Sequence, residues 1–69
     1  MDAERLVAMA NDIANFFDAE PDKKAAVEGV RFHISRFWEK RMRQQLHEYI
    51  AQGGSGLHQL ALEAAQRLG

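Results

Sequence analysis

The chain reads as all-α, a small bundle of four helices, on three observations. Apolar residues recur every three or four positions along most of its length, and no stretch alternates β-branched and polar residues in the manner of a strand. The breaks fall where helices break, at Pro21 and at Gly53-Gly54-Ser55-Gly56. The 69 residues form a single helical domain, 1–69, and a chain of that size buries only about 60% of its unfolded surface, so a partner would reinforce a thin core.

The first helix is expected over about 3–18. Leu6, Met9, Ala10, Ile13, Phe16 and Phe17 fall on one stripe, and Asp2 is placed to accept hydrogen bonds from the first free N–H groups. Glu4, Asn11, Asn15 and Asp18 take the opposite face, expected to meet solvent. The second helix is expected over 22–37. Pro21 suits a first turn because its φ is fixed and it has no N–H to leave unpaired, while Asp22 adds negative charge there. Its inward stripe is Ala26, Val27, Val30, His33, Ile34 and Phe37, which leaves Phe32 on the far side beside Ala25, Gly29 and Arg36.

The third helix, 40–52, turns Met42, Leu46, Tyr49 and Ile50 inward and stops at Gly53-Gly54, where left-handed backbone costs little. Ser55 is the expected cap of the fourth, 56–68, whose stripe is Leu57, Leu60, Ala61, Ala64 and Leu68, with Leu62 well off it. No proline or glycine lies between Gly29 and Gly53. An unbroken 22–52 helix would span on the order of 46 Å, too long for so small a chain to cover, so a bend is expected at Trp38–Lys40. The predicted core is Leu6, Ile13, Phe16, Val30, Ile34, Phe37, Leu46, Leu57 and Leu60.

Composition removes several function classes. Without cysteine there is no disulfide framework, thiolate metal site or conventional Fe–S ligation. The N-terminus carries Asp2 and Glu4 with no basic and apolar leader, and no apolar run approaches 18 residues, which predicts a cytoplasmic protein without membrane association. The net charge of −1 gives no global footprint for nucleic acid, although the acids gather before Gly29 and the bases between Gly29 and Tyr49.

No catalytic, cofactor-binding or metal-binding residues are assigned. His33, His47 and His58 do not pair at helical spacing and no His-Glu-x-x-His motif exists, so they read as boundary and surface histidines. Glu20 and Asp22 read as helix-start charges, since acid–base work needs a cleft. Ser35 and Ser55 lack a base, and the glycine run lacks the Lys-Ser/Thr continuation of a phosphate loop.

The informative chemistry is that of an interface. Arg36, Lys40, Arg41 and Arg43 cluster around Trp38, and arginine with large aromatics is enriched where proteins meet. Glu39 and Glu48 interrupt the cluster, which disfavours nucleic acid. Phe32 and Leu62 lie outside the predicted stripes. The expected partner-binding residues are therefore Phe32, Trp38, Arg41, Arg43 and Leu62.

Several short pieces occur together in a telling order: Met9-Ala10-Asn11 with Ile13-Ala14 and Phe16-Phe17, then Pro21, His33-Ile34, Phe37-Trp38, Arg41-Met42-Arg43, Leu46, Gly53-Gly54, Gly56-Leu57 and Leu60. This set resembles the delta subunit of bacterial NAD-dependent formate dehydrogenase over nearly the whole chain. The resemblance implies a non-catalytic accessory subunit of a cytoplasmic complex, docked on the large catalytic subunit and supporting its assembly, stability or cofactor insertion. It further implies that the chain holds no cofactor itself, the partner subunits carrying the molybdenum or tungsten pterin, Fe–S clusters, FMN and NAD. That family commonly follows Phe-Trp with Asp-Pro, where this chain has Glu39-Lys40, and often places proline at the position of Gln59. Both helix starts are thus less firmly encoded here. The alternative reading is a self-associating helical interaction domain, a homodimer when isolated, without an enzyme partner.

Overall fold

The computed structural model describes residues 1–68. It contains four helices in the expected order: α1 (Ala3–Phe17), α2 (Lys23–Phe37), α3 (Lys40–Ala51) and α4 (Gln59–Gln66). The molecule is all-α among the described residues and measures 31 × 22 × 17 Å. Helices α1, α2 and α4 pack on one another, and α3 closes one end against α1 and α4.

Each helix start has a local cause. Asp2 caps α1, its carboxylate accepting from Glu4 N at 3.1 Å. Asp22 is itself the cap of α2, accepting from Lys24 N at 3.0 Å and Ala25 N at 3.4 Å, so Pro21 lies just outside the helix rather than in its first turn. The expected break is present: α2 ends at Phe37 and α3 begins at Lys40. Glu39 gives α3 no side-chain cap. Instead the Arg43 guanidinium reaches back from α3, donating to the carbonyls of Trp38 at 2.8 Å and Ser35 at 3.4 Å. Carbonyls at the α2 end that lack a helical partner are thereby satisfied, by a cation where the helix dipole favours one.

Helix α3 ends in a Schellman arrangement. Gly53 N donates to Ile50 O at 2.9 Å and Gly54 N to Tyr49 O at 3.1 Å, with φ of 122° and 64° at the two glycines. The fourth helix starts three residues later than expected. Its cap is His58, whose Nδ1 accepts from Leu60 N at 3.0 Å, and Ser55 instead lies in the loop, its carbonyl accepting from the Tyr49 hydroxyl.

The buried core comprises Leu6, Ala10, Ala14, Ala26, Val27, Val30, Ile34, Trp38, Leu46, Leu60, Ala61, Ala64 and Ala65. Ile13 and Leu57 pack against it from the edge. Two expected core residues are not there: Phe16 is 76% exposed and Phe37 65%. Their stripe is correctly placed, but it is wider than the surface that three neighbouring helices can cover. Trp38, expected on the docking surface, is only 5% exposed. It follows the last residue of α2 with extended backbone (φ −92°, ψ 138°), so a helical wheel does not describe where its indole points.

Asn11, expected in solvent, is instead a tie. Its amide Nδ2 donates to Gly56 O at 2.9 Å and its Oδ1 accepts from His58 N at 2.8 Å, fastening the start of α4 to α1. Gly29, in the middle of α2, has a packing reason. A Cβ built there would lie 2.4 Å from Cδ1 of Phe17, so the ring occupies the space a side chain would take.

Candidate docking site

The α1–α2 pair has one side occupied by α4 and another left open. On the open side Asp12, Ile13, Phe16, Phe17 and His33 line a hollow of about 320 Å³. A second hollow, about 510 Å³, continues from Asp12, Ile13 and His33 to Met9, Phe37 and Met42, with Met1 at its margin and Trp38 against its wall. The two share three residues and form one groove, apolar except for Asp12 and His33. The aromatic rings are arranged as surfaces rather than as a closed core: Phe16 meets Phe17 edge-on at 5.1 Å, and the His33 ring lies 4.8 Å from that of Phe37.

The expected partner-binding residues occupy different places. Phe32 is exposed, with the Arg36 guanidinium 5.9 Å from its ring centre, but it lies on the outward face of α2 and lines neither hollow. Arg41 is exposed, Leu62 half-buried. Arg43 is half-buried and already engaged with the carbonyls that end α2. A substitution at Arg43 therefore perturbs the α2–α3 junction as well as any surface. The structure does not gather these five residues. It gathers Phe16 and Phe37, which periodicity had assigned to the core, with Ile13, Met9 and Met42.

Charged groups lie mostly away from the groove. Near the start of α4, the Lys23 ammonium donates to Asp18 at 3.1 Å, and His58 Nε2 lies 3.6 Å from the same carboxylate. The Lys23 hydrogen bond and charge, aided by His58, hold the Asp18 carboxyl below its ordinary 3.8. On α2, Arg31 bonds Glu28 at 3.0 Å, which lowers the Glu28 carboxyl and raises the guanidinium, while Arg67 approaches the same carboxylate at 4.0 Å. The Lys23–Asp18 and Arg67–Glu28 contacts are solvent-exposed ion pairs of the kind that contributes little to stability.

Among the described residues no three His, Cys, Asp or Glu side chains come together in a way that could hold a metal ion. Among those residues, too, no helix is long and apolar enough to cross a membrane.

A sequence profile described as NADH-dependant formate dehydrogenase delta subunit FdsD matches residues 5–65. The chain belongs to this family. The match takes in all of α2 and α3, nearly all of α1 and α4, and every groove residue except Met1. Membership implies association with the formate dehydrogenase complex. No curated protein and no solved structure matches.

Proposed function

We propose that this delta subunit is a non-catalytic accessory subunit of a cytoplasmic, NAD-dependent formate dehydrogenase, and that it docks on the large catalytic subunit through the groove between α1 and α2. In this reading the larger subunits carry the molybdenum or tungsten pterin, Fe–S clusters, FMN and NAD site. The delta subunit supports the large subunit's assembly, stability or loading with cofactor. The observation that carries the docking site is the exposure of Phe16 and Phe37, which line two adjoining, mainly apolar hollows that share Asp12, Ile13 and His33. Scattered single apolar residues on a surface need no explanation, whereas two large exposed aromatics lining adjoining hollows have interface chemistry.

The test is co-purification. A tag on this chain should bring down the large subunit from the native host, and Phe16→Ser with Phe37→Ser should lose it while leaving helical content unchanged. Complexes assembled with and without the chain should differ in bound molybdenum or tungsten, yet show similar formate-dependent NAD reduction per bound metal. A large fall in that normalised rate would mean that the subunit shapes the active site directly.

A further inference from the structure

We propose that His58 is a proton switch at the start of α4: the neutral imidazole caps the helix, and the protonated one lets go of Leu60 N, turns to Asp18 and opens the first turn. The inference is independent of the docking reading above.

The neutral state follows from the hydrogen bonds. His58 Nδ1 accepts from Leu60 N at 3.0 Å, so the proton of the neutral ring sits on Nε2. Histidine is an unusual residue for this task. Serine, threonine, aspartate or asparagine would offer an oxygen acceptor throughout the neutral range, whereas an imidazole accepts only while uncharged. A proton taken from solvent adds to the Nδ1 lone pair, and the ring then carries N–H groups at both nitrogens and can accept nothing. It also becomes a cation at the positive end of a helix dipole, and the first turn of α4 holds no acidic residue to offset it.

Asp18 gives the charged ring somewhere to go. Its Oδ2 lies 3.6 Å from His58 Nε2, just beyond a hydrogen bond, and closing that gap draws the ring away from Leu60. Lys23 of α2 occupies the other oxygen, Oδ1, at 3.1 Å, and with His58 it holds the Asp18 carboxyl below its ordinary 3.8, so Asp18 is ionised wherever histidine titrates. Helix α3 also packs on α4, but its His47 and Glu48 make no side-chain hydrogen bond or ion pair with His58, and its Tyr49 hydroxyl is engaged with the Ser55 carbonyl. On α4 itself Glu63 lies beyond the first turn and Arg67 approaches Glu28. The backbone tie from Asn11 to His58 N uses no imidazole atom and survives the change, which confines the release to the turn that follows. That turn matters, because α4 has only 8 residues and Leu60 belongs to the core.

The experiment follows the full chain by NMR from about pH 8 to pH 5, the range over which histidine changes charge. The ring nitrogens of His58 should report the Nε2–H tautomer at the upper end. Hydrogen-exchange protection of the Leu60 amide, corrected for intrinsic exchange, should then fall along the same titration curve as the ring, by about two- to thirtyfold, the worth of a cap. Mid-helix amides of α1 and α2 should keep their protection. In His58→Asn, which caps at every pH in the range, Leu60 protection should stay level. An Nδ1–H tautomer at pH 8, Leu60 protection that does not follow the ring, or the same fall in His58→Asn would each overturn the proposal. So would a parallel loss of protection in α1 and α2, which marks acid unfolding of the whole bundle.

Discussion

Replacing Asn11 by alanine tests whether the bundle depends on the tie between α1 and α4. Two hydrogen bonds are lost, Nδ2 to Gly56 O at 2.9 Å and Oδ1 from His58 N at 2.8 Å. At about 0.5–1.5 kcal/mol net for each, the loss is about 1–3 kcal/mol. A chain of 69 residues has on the order of 3–10 kcal/mol in all, so the tie is a substantial fraction. The corresponding fall in melting temperature is roughly 5–20 °C, at about 4–8 °C per kcal/mol for this size. Alanine also favours the helix by up to about 0.7 kcal/mol over asparagine, which masks part of the loss. Asn15→Ala supplies the correction, since Asn15 is an exposed asparagine one turn farther along the same helix. The comparison is by circular dichroism melts at equal concentration, with Asn15→Ala expected to be neutral or slightly stabilising. Asn11→Asp should be intermediate or worse, because it keeps the acceptor for His58 N but turns a carboxylate oxygen toward the Gly56 carbonyl. If Asn11→Ala and Asn15→Ala melt within about 2 °C of each other, well under 1 kcal/mol at this size, the tie contributes nothing and the reasoning fails.

Gly29→Ala should destabilise despite a helix-propensity gain of about 1 kcal/mol, because the new methyl displaces the Phe17 ring. In a Phe17→Ala background the same change should stabilise, as urea midpoints would show. Phe16→Ser and Phe37→Ser should each move stability by no more than about 0.5 kcal/mol, against about 2–5 kcal/mol for Leu46→Ala, which empties a fully buried site. Asp18 titrates below its ordinary 3.8, so its interaction with Lys23 contributes above that value and is lost as pH falls through the lowered one. A carbon-detected NMR titration should find the Asp18 midpoint below 3.8 and moved back toward it by Lys23→Gln.

Much of the fold is legible in the sequence because it is encoded locally. The stripes through Leu6, Val30, Ile34, Leu46 and Leu60 mark four helices, and Gly53-Gly54 supplies the positive φ that ends α3. The stop before Lys40 is legible from length alone, although the group that completes it, Arg43, read as a surface cation. Phe16, Phe37 and Trp38 were misplaced for a common reason. A helical wheel gives the direction of a side chain but not whether another helix arrives there, and it ceases to apply one residue past a helix end. The groove was therefore not legible as such. Neither was the Asn11–His58 tie, which joins residues 47 apart through a polar side chain at the margin of an apolar stripe. Gly29 did carry a usable signal: a glycine in mid-helix costs about 1 kcal/mol against alanine, and so asks for a close neighbour.

The small size of the buried side chains sets which mutations the chain can survive. Among the described residues, six of the 13 buried hydrophobic ones are alanine, at positions 10, 14, 26, 61, 64 and 65. Alanine has no rotamers to freeze, so ordering this seam costs only backbone entropy. It also has almost nothing to delete. Shortening mutations, the usual route to damage in a protein interior, are confined to a few sites such as Leu6, Ile34 and Leu46. The alanine positions fail in the other direction, since any added methylene pushes two helices apart, at about 1–3 kcal/mol per insertion. Random substitution should thus show an inverted pattern, with Ala61→Val and Ala64→Val harmful where many core leucine-to-methionine changes are tolerated. Tolerance to added volume is then lowest along the seam where α4 meets α1 and α2.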